Sequence, residues 1–110
     1  MTATRLNPEL APTSTTLATD AVLYRWGRVR MLVLNGYKTK YSYTAGEYST
    51  SKVEFSIPEG SRAPTQVYGM LGTYGGRLLH LPNGNITLQP HAAMSANSTV
   101  YASMVWLSDR

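Results

Sequence analysis

The chain predicts an all-β fold, a sandwich or a barrel, on three observations. Short runs of β-branched and aromatic residues recur from Asp20 onward, each closed by Gly, Pro, Asn or Ser within about ten positions. Asn83-Gly84 stands between two alternating runs, which is the strongest short-range hairpin signal. No segment of ten or more residues carries helical periodicity, and neither an internal repeat nor a heptad is present.

Residues 1–19 read as an N-terminal arm or linker. Thr2 to Asp20 holds six threonines, Pro8 and Pro12, with Leu6, Leu10 and Leu17 as its only large apolar residues. One helical turn can start after Asn7, with Pro8 at its first position and Pro12 as its stop. Residues 20–110 read as a single domain. Ala21 to Trp26 forms a strand with Val22, Tyr24 and Trp26 on one face, and Gly27 allows a tight reversal into Val29 to Leu34, which Asn35-Gly36 ends. Tyr37 to Ser51 is polar and tyrosine-rich and reads as a weakly paired edge hairpin or a long loop. Val53, Phe55 and Ile57 alternate with Lys52, Glu54 and Ser56, the pattern of a half-buried strand that Pro58-Glu59-Gly60 closes.

A further strand runs from Gln66 to Leu71, followed by an open connection through Gly72, Gly75 and Gly76. Arg77 to Leu81 and Asn85 to Gln89 form the hairpin around Pro82-Asn83-Gly84. Thr99 to Leu107, the last strand, is apolar or small at nearly every position, as is Met31 to Leu34, so both are expected to be buried on two faces. A lone two-layer molecule would leave such strands in water, so a subunit interface is expected to cover them. Trp26 and Trp106, both within strands, are expected in the core.

The 110 residues suit one domain, and the absence of cysteine removes disulfides, thiolate metal sites and cysteine nucleophiles together. No apolar stretch approaches the ~20 residues of a membrane-spanning helix, and the N-terminus shows no secretory signal pattern. Catalysis is not indicated. The carboxylates Glu9, Asp20, Glu47, Glu54, Glu59 and Asp109 include no close pair, and His80 and His91 lie in no nucleophile or metal motif. His80 sits inside an apolar run and reads as a packed or surface strand residue. Gly72-Thr73-Tyr74-Gly75-Gly76 lacks the Lys-Ser/Thr ending of a phosphate loop and reads as a turn-rich connection. No cofactor and no metal are expected.

The net charge is +4, and the basic residues crowd the first half. Arg25, Arg28, Arg30, Lys38 and Lys40 interleave with Tyr24, Trp26, Tyr37, Tyr41 and Tyr43. Such a pattern serves a single-stranded nucleic-acid-binding β-barrel, where bases stack on rings and phosphates meet cations. It equally serves sugar binding, where a ring stacks on the apolar face of a pyranose.

Phe55-Ser56-Ile57-Pro58-Glu59-Gly60-Ser61-Arg62-Ala63-Pro64, Gly84-Asn85-Ile86-Thr87-Leu88 and Tyr101-Ala102-Ser103-Met104-Val105-Trp106-Leu107 resemble the C-terminal head domains of bacteriophage tail-fibre, baseplate and receptor-binding proteins. Tyr24-Arg25-Trp26-Gly27-Arg28-Val29 is similar to the first strand pair of those domains, so the likeness spans residues 20 to 107. The resemblance implies a small antiparallel, jelly-roll-like β-sandwich that assembles as a homotrimer at a virion tail tip or baseplate and recognises host cell-surface polysaccharide. The N-terminal arm would then join the head to other virion tail proteins. Receptor contacts vary within such domains, so the expected ligand-binding residues come from residue type and loop position: Tyr41, Tyr43, Tyr48 and Tyr74 to stack, Glu47 and Asn97 to hydrogen-bond hydroxyls, and His91 for either role. The alternatives are the nucleic-acid barrel and a purely structural tail or capsid decoration protein.

Overall fold

A computed structural model describes residues 2–5, 21–72 and 74–108. The strands are β1 (Thr2–Arg5), β2 (Ala21–Trp26), β3 (Val29–Lys38), β4 (Phe55–Ser56), β5 (Val67–Leu71), β6 (Arg77–His80), β7 (Asn85–Gln89) and β8 (Thr99–Leu107). All pair antiparallel in one sheet, in the order β1-β2-β3-β8-β5-β6-β7-β4, which curls into a half-barrel. No helix occurs among the described residues. The all-β expectation holds, with the strands sharing one hydrogen-bonded sheet.

The inner face of the curl carries the core. Leu23, Leu32, Leu34, Tyr37, Phe55, Ile57, Leu71, Leu78, Ile86, Leu88, Val100, Met104 and Trp106 are buried there. β2 and β3 meet through a two-residue turn at Gly27-Arg28, with Trp26 opposite Val29 and Gly27 in the left-handed region. β3 does not end at Asn35-Gly36 as expected. Gly36, at φ 77°, forms a β-bulge where the register shifts between Asn35 and Tyr37. The extra residue reverses the alternation, so Tyr37 and Thr39 turn inward behind Arg30, Leu32 and Leu34.

Three further expectations are corrected. Of Val53 to Ile57 only Phe55–Ser56 pairs as strand, and Glu54, expected on the polar face, is fully buried because four donors gather around its carboxylate. β3 and β8 are not buried on both faces. Their outward residues, Val105 (59% exposed) and Leu107 (57%) among them, face solvent in the single chain. Trp26 is 44% exposed rather than core, because the pleat that buries Ala21 and Leu23 turns Val22, Tyr24 and Trp26 outward. Trp106 is buried as expected. Thr2–Arg5, part of the expected arm, pairs with β2 as an edge strand, with Ala3 opposite Tyr24. The expected helical turn after Asn7 lies outside the described residues.

Two buried polar side chains tie the 58–61 turn to the sheet. Arg30 donates from Nε to Ser61 Oγ (3.0 Å), from Nη1 to the carbonyls of Gly27 (2.5 Å) and Val29 (3.2 Å), and from Nη2 to Gly60 O (3.3 Å). Trp106 Nε1 donates to Ser61 O at 2.7 Å. The large majority of buried polar groups in folded proteins are satisfied in this way.

Candidate functional site: the loop end and the outer aromatic cluster

Residues 37–43 wrap around Glu54. Its Oε1 accepts from Tyr37 Oη (3.0 Å) and Lys40 N (2.7 Å), and its Oε2 from Tyr43 Oη (2.6 Å) and Tyr41 N (3.4 Å). Burial pushes the Glu54 carboxyl pKa up, and the four donors pull against that shift. Burial, with the neighbouring carboxylate second, pushes the phenols of Tyr37 and Tyr43 well above their ordinary value. A carboxylate this enclosed does not reach a substrate; it fastens the tyrosine-rich segment to the start of β4. Tyr43, an expected ligand contact, is therefore buried with its hydroxyl committed to Glu54.

Five other expected contacts lie on adjoining loops at this end of the sheet. The backbones of Tyr43 and Met94 exchange hydrogen bonds (2.8 and 3.0 Å), Asn97 N donates to Thr39 O (2.8 Å), and Gly46 N donates to Pro90 O (2.7 Å). These bonds draw the 39–47 and 90–98 segments together. A Cβ on Gly75 would stand 3.2 Å from His91 Nδ1, so the 74–76 turn abuts them. Tyr41 and Tyr74 are half-buried against the core, whereas His91 and Asn97 are exposed. Asn97 adopts φ 65°, a left-handed conformation its short polar side chain tolerates. Glu47 serves its own turn: Oε1 accepts from Thr44 N (2.9 Å) and Thr44 Oγ1 (3.2 Å), and Oε2 pairs with Lys52 Nζ at 2.7 Å. The bond to Lys52, then that to Thr44 N, holds the Glu47 carboxyl below its ordinary pKa.

Tyr48 belongs elsewhere. Thr87 Oγ1 donates to Ser49 O (3.0 Å), which lays this loop against the outward side of β7, where Leu79 is also buried. There Tyr48 joins residues that sequence reasoning missed: Gln66, Tyr68, Arg77 and Gln89. Gln66 Nε2 donates to the hydroxyls of Tyr68 (3.1 Å) and Tyr48 (3.5 Å). The Arg77 guanidinium carbon lies 4.5 Å from the centroid of the Tyr68 ring, and Arg77 donates from Nε (3.1 Å) and Nη2 (2.6 Å) to Gln89 Oε1. Gln89 Nε2 in turn donates to Gly46 O at 3.5 Å. Alternation along β5 and β6 signals that Tyr68 and Arg77 leave the core face, but nothing local shows that β5, β6, β7 and the Tyr48 loop meet.

A second outward surface is apolar. Pairing stacks Trp26, Val29 and Leu107 in one row, Tyr24, Met31 and Val105 in the next, and Val22, Val33, Ser103 and Met70 in a third. Met70 is 78% exposed. The basic residues, by contrast, form no stripe. Arg30 is buried on four oxygens, Arg25 stands opposite it, and Arg28 Nε donates to Ser108 O (3.0 Å). Lys38 lies at the far end of β3, ~30 Å along the strand, and donates to Thr99 Oγ1. Arg30 is thus withdrawn from the expected nucleic-acid platform. No cluster of three or more His, Asp or Glu able to hold a metal occurs among the described residues. The chain matches no protein-family model and has no significantly similar counterpart among curated proteins.

Proposed function

We propose that this chain is a non-catalytic, receptor-binding head domain of a virion tail fibre or baseplate, assembled as a homotrimer and recognising host cell-surface saccharide. The observation that carries the reading is the apolar outward face of β2, β3 and β8. Three paired rows of side chains, including Trp26, Met31, Val105 and Leu107, face water in the single chain. Soluble monomers seldom expose a continuous apolar surface of this kind, and a second copy is the covering that needs no other component. In the assembled head, neighbouring copies supply the second layer of a sandwich. The N-terminal segment, whose residues 2–5 pair as β1 at the sheet edge, is assigned the contact with other tail proteins.

Saccharide binding is supported by the loop end and the outer aromatic cluster, where exposed rings stand beside oriented amides and a guanidinium. Three weak sites on one head bind a repetitive polysaccharide together, and linkage of this kind raises avidity by a factor of ~10² or more. The split basic residues and the burial of Arg30 favour this reading over a nucleic-acid barrel. Light scattering on the full chain at micromolar concentration, followed by a glycan array and adsorption to host cells, tests it. A trimer that binds saccharide is expected. A monomer, or an assembled protein that stays blank on array and cells, overturns the reading, the second result in favour of a structural decoration protein.

A further inference from the structure

Resting on the saccharide reading, we infer that the outer cluster of Tyr48, Gln66, Tyr68, Arg77 and Gln89 is a binding site for an anionic sugar, one bearing a carboxylate. The five side chains come from four segments, the loop before Ser49, β5 with the residue that precedes it, β6 and β7, and they are held as one connected row. Gln66 bridges the two tyrosine hydroxyls, Arg77 stacks on Tyr68, and Gln89 takes two guanidinium hydrogen bonds. Planar groups fixed in this way lose little freedom when a ligand arrives, which is what makes a weak surface site specific.

The charge at this site is uncompensated. Arg77 is exposed, its hydrogen-bond partner Gln89 is neutral, and no carboxylate among the described residues pairs with it. Glu47, which follows the Gly46 carbonyl that Gln89 meets, is occupied by Lys52 and the Thr44 turn. The Nε and Nη2 of Arg77 meet Gln89, and its Nη1 side is the one that matches a carboxylate, while the exposed Tyr48 ring and the side of Tyr68 that Arg77 does not cover, 49% and 50% accessible as residues, meet the C–H side of a pyranose. Gln66 and Gln89 then stand within the same row to meet ring hydroxyls. The cluster holds a single cation, and one cation does not track a phosphate backbone. A uronate or sialate unit fits it better than a neutral hexose, which would leave Arg77 unanswered, or a nucleic acid, which would need several cations in line.

The test uses the full chain on an array carrying uronate, sialate and neutral saccharides, with each acidic saccharide beside its carboxyl methyl ester, and then titration calorimetry on the best acid–ester pair. The acid is expected to bind roughly tenfold more tightly than its ester. Arg77→Gln should bind acid and ester alike, and Tyr68→Ala should weaken both by about tenfold. Circular dichroism and melting temperature confirm that these exposed substitutions leave the fold intact, and Arg25→Gln, a basic change away from the cluster, should preserve the preference. Equal binding of acid and ester, saccharide binding unchanged in Arg77→Gln and Tyr68→Ala, or capture of a single-stranded oligonucleotide through these two residues overturns this site while the host-saccharide reading stands. A native protein blank both on the array and in host-cell adsorption overturns both.

Discussion

His80 makes the fold sensitive to acid. It lies on the inner face of β6 at 0% exposure, its ring edge-on to Trp106 with centroids 4.5 Å apart. Neither ring nitrogen has a hydrogen-bond partner among the described residues. Burial, helped by the Arg62 guanidinium, holds its pKa near 4 against 6.5 for a free imidazole. The ring is therefore neutral in the fold, while the unfolded chain takes a proton first as pH falls. Stability from this residue is complete above pH 6.5, drains away between 6.5 and 4, and is gone below 4. The loss corresponds to about 3 kcal/mol, a large part of the stability of a small domain. Glu54, with its raised pKa, acts in the opposite direction, because the fold takes up a proton there before the unfolded chain does. A bare pH profile would sum the two, so the assay compares native protein with His80→Leu by urea denaturation from pH 7.5 to 4 at one protein concentration. Leu is close to His in volume and leaves no orphaned nitrogen. The variant should match or exceed native stability at neutral pH and gain about 3 kcal/mol on it by pH 4. A stability difference that stays flat across that range refutes the claim that a neutral, unpartnered imidazole is buried here.

Other residues give sharper local tests. Glu54→Gln keeps one acceptor oxygen and presents an amide where two donors converge, so it should cost about 2–3 kcal/mol in urea; Tyr43→Phe should then cost less in that background than in the native chain. A Cβ on Gly69 would fall 2.6 Å from Ser103 O and 2.7 Å from Met104 Cβ. Gly69→Ala should therefore force β5 from β8 and destabilise by about 1–3 kcal/mol, read as a lower denaturation midpoint. Val105→Lys and Leu107→Asp place charge on the outward apolar rows. If the proposed trimer forms through this face, light scattering should show these variants as single chains, while circular dichroism keeps the native spectrum; a native-like trimer mass in the variants would refute this face as the interface.

Local pattern carried much of this fold. Short apolar and aromatic runs between turn residues located β2, β5 and β7 nearly to the residue, a run apolar or small at nearly every position located β8, Asn83-Gly84 marked the β6–β7 hairpin, and Gly27 marked the β2–β3 turn, because strand runs and left-handed turns are set by neighbours in the chain. Apolar residues on both sides of β3 and β8 were equally plain, although composition could not tell a buried second face from one left open. Where distant segments meet was not legible. Glu54 sits in a polar position by its own alternation, and only the wrapping of residues 37–43, re-aimed by the bulge at Gly36, surrounds it with donors. The same holds for the site: Tyr48, Tyr68 and Arg77 are ordinary surface residues until strand order brings three elements side by side. Periodicity records which face a residue takes, a property of a few adjacent bonds, whereas neighbours across a sheet depend on how the whole chain closes.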